Sequence, residues 1–307
     1  MPGKGGKVAA VDPRTRERWE AGFSERARAY WTAERTQALT DGKRLAVLPA
    51  EAPALLRALG LLDGDGRLPP DRARKFFQIN HLVRLIEPTM TALHAAHPVL
   101  RVVDAGCGRS YLTLLLAHCA KQRGVTIDVL GVDRNPELIE ECRRRTALAE
   151  LDDVVRFEAR AVDEVTGEAH VVVALHACDT ATCDAIALGV ALRAELIAVA
   201  PCCQAELARG WSELEGSAGG FAPVWNAPHL RREIAAHVTD AMRMTLLRAS
   251  GYEVTAAEFA GSEHTKKNTL LRAERSERVD RARARADYDA LVATTGGRGL
   301  RLAERLR

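Results

Sequence analysis

The sequence predicts an α/β fold with a mostly parallel sheet covered by helices on both faces. Three observations carry that expectation. From about Val99 onward, short runs rich in Val, Leu and Ile alternate with helical stretches. The runs are almost continuously apolar, as strands buried on both faces are. One run ends in an acid, and a Gly-x-Gly turn then opens a helix at Asp104-Ala105-Gly106-Cys107-Gly108.

The expected strands are Leu100–Asp104, Ile127–Asp133, Val154–Ala161, His170–Ala177 and Leu196–Pro201. Helices are expected between them at Leu112–Gln122, Glu137–Leu148 and Thr182–Arg193. A long helix, Leu230–Ser250, precedes two further strands at Glu253–Ala260 and Thr269–Arg272, which read as a hairpin.

Upstream, residues 1–13 read as a flexible tail and residues 14–90 as a helical module. Trp19, Phe23, Ala27, Tyr30 and Trp31 recur at helical spacing over Arg14–Leu39. A second helix runs from Ala50 to Leu62 and stops at Asp63-Gly64-Asp65-Gly66. Asp71 is placed to cap a third, which Pro88 is expected to end. The main domain then covers residues 91–275. Residues 276–307 form a charged helix and tail, whose mixed signs read as a solvated face.

Composition excludes several classes. The 307 residues are 47% hydrophobic and 28% charged, ordinary for a globular protein. No apolar run reaches the ~20 residues of a membrane span. The N-terminus lacks the apolar core of a secretory signal. Seven cysteines without a CxxC pair argue against a disulfide framework, and a cytoplasmic location is expected. The net charge is only +3, and Arg far outnumbers Lys, so arginine clusters speak less strongly for nucleic acid.

The Gly-x-Gly turn carries the chemistry. Its glycines permit close backbone approach and conformations closed to other residues. The helix that follows presents free N–H groups to an anionic group such as the carboxylate of S-adenosylmethionine (SAM). Asp133 closes the next strand, where an acid accepts the hydroxyls of a ribose. A dinucleotide fingerprint would place a third glycine at Tyr111, and Asp104 would repel a pyrophosphate. The pattern therefore favours SAM over a nicotinamide cofactor. Cys107 between the glycines reads as packing, and capping of the helix at Pro136 is an alternative role for Asp133. Arg134, Ala161, Val162 and His176 complete the expected cofactor set.

In an open parallel sheet, ligands lie beyond the C-terminal strand ends. Two later ends carry Leu175-His176-Ala177-Cys178-Asp179-Thr180-Ala181-Thr182 and Pro201-Cys202-Cys203-Gln204. His176, Cys178, Asp179, Cys202 and Cys203 are the catalytic candidates. Lys266, Lys267 and Asn268, between the last two strands, are candidates for holding substrate.

With these elements, the sequence resembles a group of SAM methyltransferase domains marked by LHAC and PCC motifs. The group includes the methyltransferase-like region of the glutathione S-transferase C-terminal domain-containing protein and methyltransferase-like protein 25. A tRNA 2′-O-methyltransferase is a more distant relative. The resemblance covers roughly Lys75 to Ala273. It implies a Rossmann-like class I methyltransferase fold, seven strands with the last antiparallel, and SAM as cofactor. Only the distant branch implies an RNA acceptor. Cys183 stands where the motif has an acid, and Asp184 follows it.

Four readings of the cysteines stay open: packing beside the cofactor, zinc ligation, covalent attack on a pyrimidine and other chemistry, including a thiol acceptor site. No metal is assigned, because adjacent Cys202 and Cys203 are poorly placed for tetrahedral ligation. His176 is either a general base or a hydrogen-bonded pocket residue. The absence of Asp/Asn-Pro-Pro-Tyr/Phe at the fourth strand end disfavours N6-adenine methylation. The leading function is methyl transfer to RNA. A protein or small-molecule acceptor is the second, and a non-catalytic binding protein of the same fold the third.

Overall fold

The computed structural model describes residue 17 and residues 19–175, 180–201, 204–259 and 269–306. After residues 17, 19 and 20, which are helical, the described chain runs through α1 (Phe23–Tyr30), α2 (Ala33–Thr40), α3 (Pro53–Ala58) and α4 (Pro70–His94). Then follow β1 (Leu100–Ala105), α5 (Tyr111–Gln122), β2 (Ile127–Asp133), α6 (Pro136–Leu148) and β3 (Val155–Ala159). After a 3₁₀ turn at Val162–Glu164 come β4 (Val171–Leu175), α7 (Thr180–Ala191) and β5 (Leu196–Ala200). The chain continues through α8 (Glu206–Ser212), α9 (Ala222–Trp225), α10 (Pro228–Ala249), β6 (Tyr252–Glu258), β7 (Thr269–Arg275), α11 (Arg281–Thr294) and α12 (Leu302–Arg305).

The seven strands form one sheet in the order β3-β2-β1-β4-β5-β7-β6. β1 pairs parallel with β4, β4 with β5 and β2 with β3. β7 alone reverses, antiparallel to both β5 and β6. The strand order and the one reversed strand agree with the α/β, mostly parallel sheet expected from the sequence. The chain divides into two compact units, Met1–Leu100 with Cys107–Arg160, and Arg101–Gly106 with Ala161–Arg307.

In the first unit, the helix expected over Arg14–Leu39 is broken. Trp31 ends α1, and its indole N–H donates to the Gly66 carbonyl at 2.7 Å. Thr32 then caps α2, its hydroxyl accepting from the Arg35 N–H. The piece expected at Ala50–Leu62 shortens to α3, with Pro53 in its first turn. α4 starts at Pro70, with Pro69 at its N-cap and Asp71 inside its first turn instead of capping it, and it does not end at Pro88. Proline removes one intrahelical bond. Here Val83, Ile86 and Met90, all buried, hold one face in the core across the gap. Asn80 is wholly buried on that helix. Its side chain accepts from Val47 N–H at 2.8 Å and donates to the Phe76 carbonyl at 3.0 Å, anchoring the loop after α2. On the sheet, Gly131 of β2 lies opposite Phe157 of β3. A Cβ on Gly131 would run into that ring and would sit 3.2 Å from Cys107 Sγ.

In the second unit, every residue of β5 is buried, and so is β4 up to Ala174. α7 rides close to β5, because a Cβ on Gly189 would meet Ile197 Cγ1 at 2.6 Å. The charged C-terminal helix α11 is not simply solvated. It packs on α10 and buries Ala284 and Tyr288. The Tyr288 hydroxyl accepts from Leu300 N–H at 3.0 Å. Its outer face carries the expected mixed charges, with Arg283 paired to Asp287 and Arg285 to Asp289. Among the described residues, no helix is long and apolar enough to cross a membrane.

Gly131→Ala is expected to destabilise the protein by about 1–3 kcal/mol, the usual cost of overpacking a closed core. Urea unfolding measures it. An unchanged midpoint would mean that Phe157 has room to move.

Candidate active site

The site is built on a turn that most residues cannot make. β1 carries Asp104, 2% exposed, at its C-terminal end. The chain then takes left-handed backbone at Gly106 (φ 73°), Gly108 (φ 52°) and Ser110 (φ 57°) before α5 begins at Tyr111. Glycine adopts this conformation without penalty, whereas serine pays about 1–2 kcal/mol for it. The Ser110 N–H donates to the Cys107 carbonyl at 2.8 Å, closing the turn. No side chain caps the N-terminus of α5. Its first N–H groups are therefore directed at whatever lies before the helix, with the positive end of the dipole behind them. The Ser110 hydroxyl is fully buried and has no hydrogen-bond partner among the described residues.

Asp133 closes β2 and meets this turn. Its Oδ2 accepts from Gly108 N–H at 3.0 Å, and its Oδ1 accepts from Asn135 N–H at 2.9 Å. Helix capping, the alternative role, belongs to Asn135. Asn135 Oδ1 accepts from the N–H groups of Glu137 and Leu138. Each carboxylate oxygen of Asp133 keeps a second lone pair, so two ribose hydroxyls can still be accepted. Cys107 is buried, and its N–H donates to the Val132 carbonyl at 2.9 Å, as a packing residue would. Arg134 is exposed beside Asp133.

Sequence reading missed the supports of the turn. Cys142 on α6 donates its thiol to the Gly108 carbonyl at 3.1 Å. Arg145, one helical turn further, donates to the Arg109 carbonyl at 2.8 Å and pairs with Glu141. Its guanidinium lies 5.5 Å from the Tyr111 ring, and Lys75 Nζ lies 5.7 Å from the same ring. Lys75 also donates to Gln78 at 2.7 Å. Only the spacing of Cys142 and Arg145 along one face of α6 hinted at a shared task.

In the second unit, Ala161 and Val162 open the 3₁₀ turn after β3. The Ala161 N–H is already donated to Glu164 at 2.9 Å. Past β5, Gln204 joins a buried polar chain. Its Nε2 donates to Asp240 Oδ2 at 3.0 Å, Arg243 donates to Asp240 Oδ1 at 3.0 Å, and Arg243 Nη2 reaches Cys183 Sγ at 3.5 Å. Arg243 is 1% exposed. Burial raises the Asp240 carboxyl above its ordinary pKa, against the pull of Arg243 and Gln204. Burial also raises the Cys183 thiol, again opposed by Arg243. Burial works against the Arg243 charge as well, yet Cys183 and Asp240 hold its pKa above the usual value. Cys183, at the motif position of an acid, thus backs onto an arginine, while Asp184 turns to Arg305. His176, Cys178, Asp179, Cys202, Cys203, Lys266, Lys267 and Asn268 lie outside the described residues. Among the described residues, no cluster could hold a metal ion.

Comparison with known proteins meets this geometry at the same segment. Residues 74–210 match the model of a family described as a methyltransferase domain. Over 140 residues, 45% of the chain, it is 31% identical to the glutathione S-transferase C-terminal domain-containing protein of Mus musculus. The matched stretch is 20% of that relative's length. Among solved structures, a SAH-bound methyltransferase from Podospora anserina is 12% identical with a TM-score of 0.46. That match covers 80% of this chain and 95% of that one. The SAH-bound magnesium protoporphyrin IX methyltransferase of Synechocystis PCC 6803 is 17% identical with a TM-score of 0.42, over 73% and 93% of the two chains.

The donor set of the turn fits SAM. Within the first unit, the uncapped α5 N-terminus suits a carboxylate and the Asp133 carboxylate suits a pair of hydroxyls, the two kinds of group that SAM would offer at its ends. Asp133→Ala is expected to weaken SAM binding at least about tenfold, the worth of one charge-assisted hydrogen bond. Isothermal titration measures it, and undiminished affinity would remove Asp133 from the site.

Proposed function

We propose that the protein transfers a methyl group from SAM to RNA. The observation that carries the donor half is the bond between Gly108 N–H and Asp133, which ties a helix N-terminus to a ribose-accepting carboxylate. SAM, when bound, supplies an electrophilic methyl on a sulfonium. The chain's own task is to hold SAM by its two ends and to present the acceptor beyond β4 and β5. The resemblance of the LHAC and PCC segments to a tRNA methyltransferase supports RNA as that acceptor. His176 follows β4 directly and is the candidate for taking the acceptor's proton. We also assign the protein to the cytoplasm. Cys107, Cys119, Cys142 and Cys183 are all buried and none is in a disulfide, which suits a reducing compartment. Burial pushes the Cys119 thiol up to about 12, far from reactivity.

The test is transfer of labelled methyl from SAM to a fractionated lysate of cells lacking the gene, followed by nuclease or protease. Label lost to nuclease is the expected result. Label lost to protease, or found in small metabolites, would sink the RNA reading. Gly106→Val, which places a β-branched side chain in left-handed backbone where SAM must approach, should abolish both SAM binding and transfer. Cys202→Ala and Cys203→Ala should each keep turnover within a few-fold. Complete loss with intact SAM affinity would assign covalent or metal chemistry to the pair instead.

A further inference from the structure

Beyond the end of β5, the second unit holds a groove of about 570 Å³ between α8 and the start of α10. That size lies within the range of small-ligand sites. Gln204, Arg209, Arg231, Arg232 and Glu233 are its polar lining. Three guanidiniums face one carboxylate, so the groove is cationic. Pro228, the first residue of α10, also lines it, and no side chain caps that helix. The positive end of a 22-residue helix therefore opens at the same place. Arg231 is partly engaged by Glu215, at 3.0 Å, and by the Trp225 carbonyl. Arg209 and Arg232 are exposed.

An anion site alone would say little about methyl transfer. Gln204 adds the second half. It is 8% exposed, and its amide is oriented by chemistry, because only Nε2 can donate to Asp240. That leaves Oε1 buried with no hydrogen-bond partner among the described residues. A buried carbonyl oxygen without a donor is left destabilised, which a ligand N–H or O–H would offset. β4 and β5 run parallel, and the groove lining begins four residues after the end of β5, at Gln204. Asp104 of β1 lies opposite Val173 of β4, and Val173 opposite Ala198 of β5. Two strand spacings, roughly 10 Å, separate Asp104 from Ala198, and Gln204 follows shortly after Ala198 in the chain.

We propose that this groove is the acceptor subsite and binds a nucleotide unit of RNA. The arginines and the α10 N-terminus hold the phosphate, and Gln204 Oε1 accepts from a base or ribose donor. The proposal deepens the RNA reading and rests on it.

The test compares R209Q/R232Q with R283Q/R285Q, a pair on α11 that removes the same charge elsewhere. The probes are a single-stranded RNA of about 12 nucleotides, free nucleoside monophosphates and SAM. R209Q/R232Q should weaken the RNA about tenfold and flatten its salt dependence by about 1.4 in log–log slope, two contacts at about 0.7 each. SAM affinity should not change, and R283Q/R285Q should bind RNA nearly as the parent does. Equal losses in both pairs would reduce the effect to overall charge and overturn the groove. Unchanged RNA affinity in R209Q/R232Q, with label still entering RNA, would overturn the groove and leave the RNA reading standing. Monophosphates bound as tightly as the RNA, with no label in RNA, would keep the phosphate chemistry but overturn RNA as its source.

Discussion

A single carboxylate-to-amide hydrogen bond organises the donor site. Asp133 stands at the end of β2 and holds the N–H of Gly108, so the turn after β1 is fixed against the neighbouring strand. Both Gly108 polar groups are used, because its carbonyl takes the Cys142 thiol. The residue between a strand and a helix is thus clamped from β2 on one side and α6 on the other. Arg145 extends the clamp to Arg109. Asp133, the acid proposed to receive the ribose, therefore also shapes the loop below it.

Much of the sheet was legible because burial on both faces leaves a plain signature. Ile127–Asp133 is found as expected, and among the described residues β4 begins one residue late and β5 stops one residue early. The reversed β7 is what the resemblance implied. The failures share a cause, in that tertiary contacts override local signals. Pro88 reads as a stop, but the core holds α4 together across it. Trp31 reads as one more apolar step of a helix, but its indole is drawn to Gly66. The arginines of α11 read as a solvated helix, yet Tyr288 pins it to Leu300.

For the site, contiguous residues were legible and convergent ones were not. Asp104, Gly106 and Gly108 lie in one short stretch, so their chemistry shows in the string. Cys183, Gln204 and the Asp240/Arg243 pair come from three places in the sequence and meet only when α7 and the segment after β5 fold against α10. Nothing in the spacing of Arg243 distinguishes it from the many surface arginines of this chain. Its burial matters energetically. A buried guanidinium is tolerable only when its partners satisfy it, and removing one would leave the charge stranded at a cost of about 3–5 kcal/mol. The chain therefore behaves as a unit that fixes the amide of Gln204 in one orientation.

The left-handed serine at the head of α5 has a thermodynamic consequence. Ser110 is held in backbone that a non-glycine residue leaves readily when free, and its hydroxyl is shut away from water. Such a conformation persists only when its surroundings over-determine it. The loop is thus set during folding, not on encounter with a ligand. The ordering entropy that a floppy loop would surrender on binding has already been surrendered. A ligand reaching the head of α5 would therefore meet a turn whose backbone is already set.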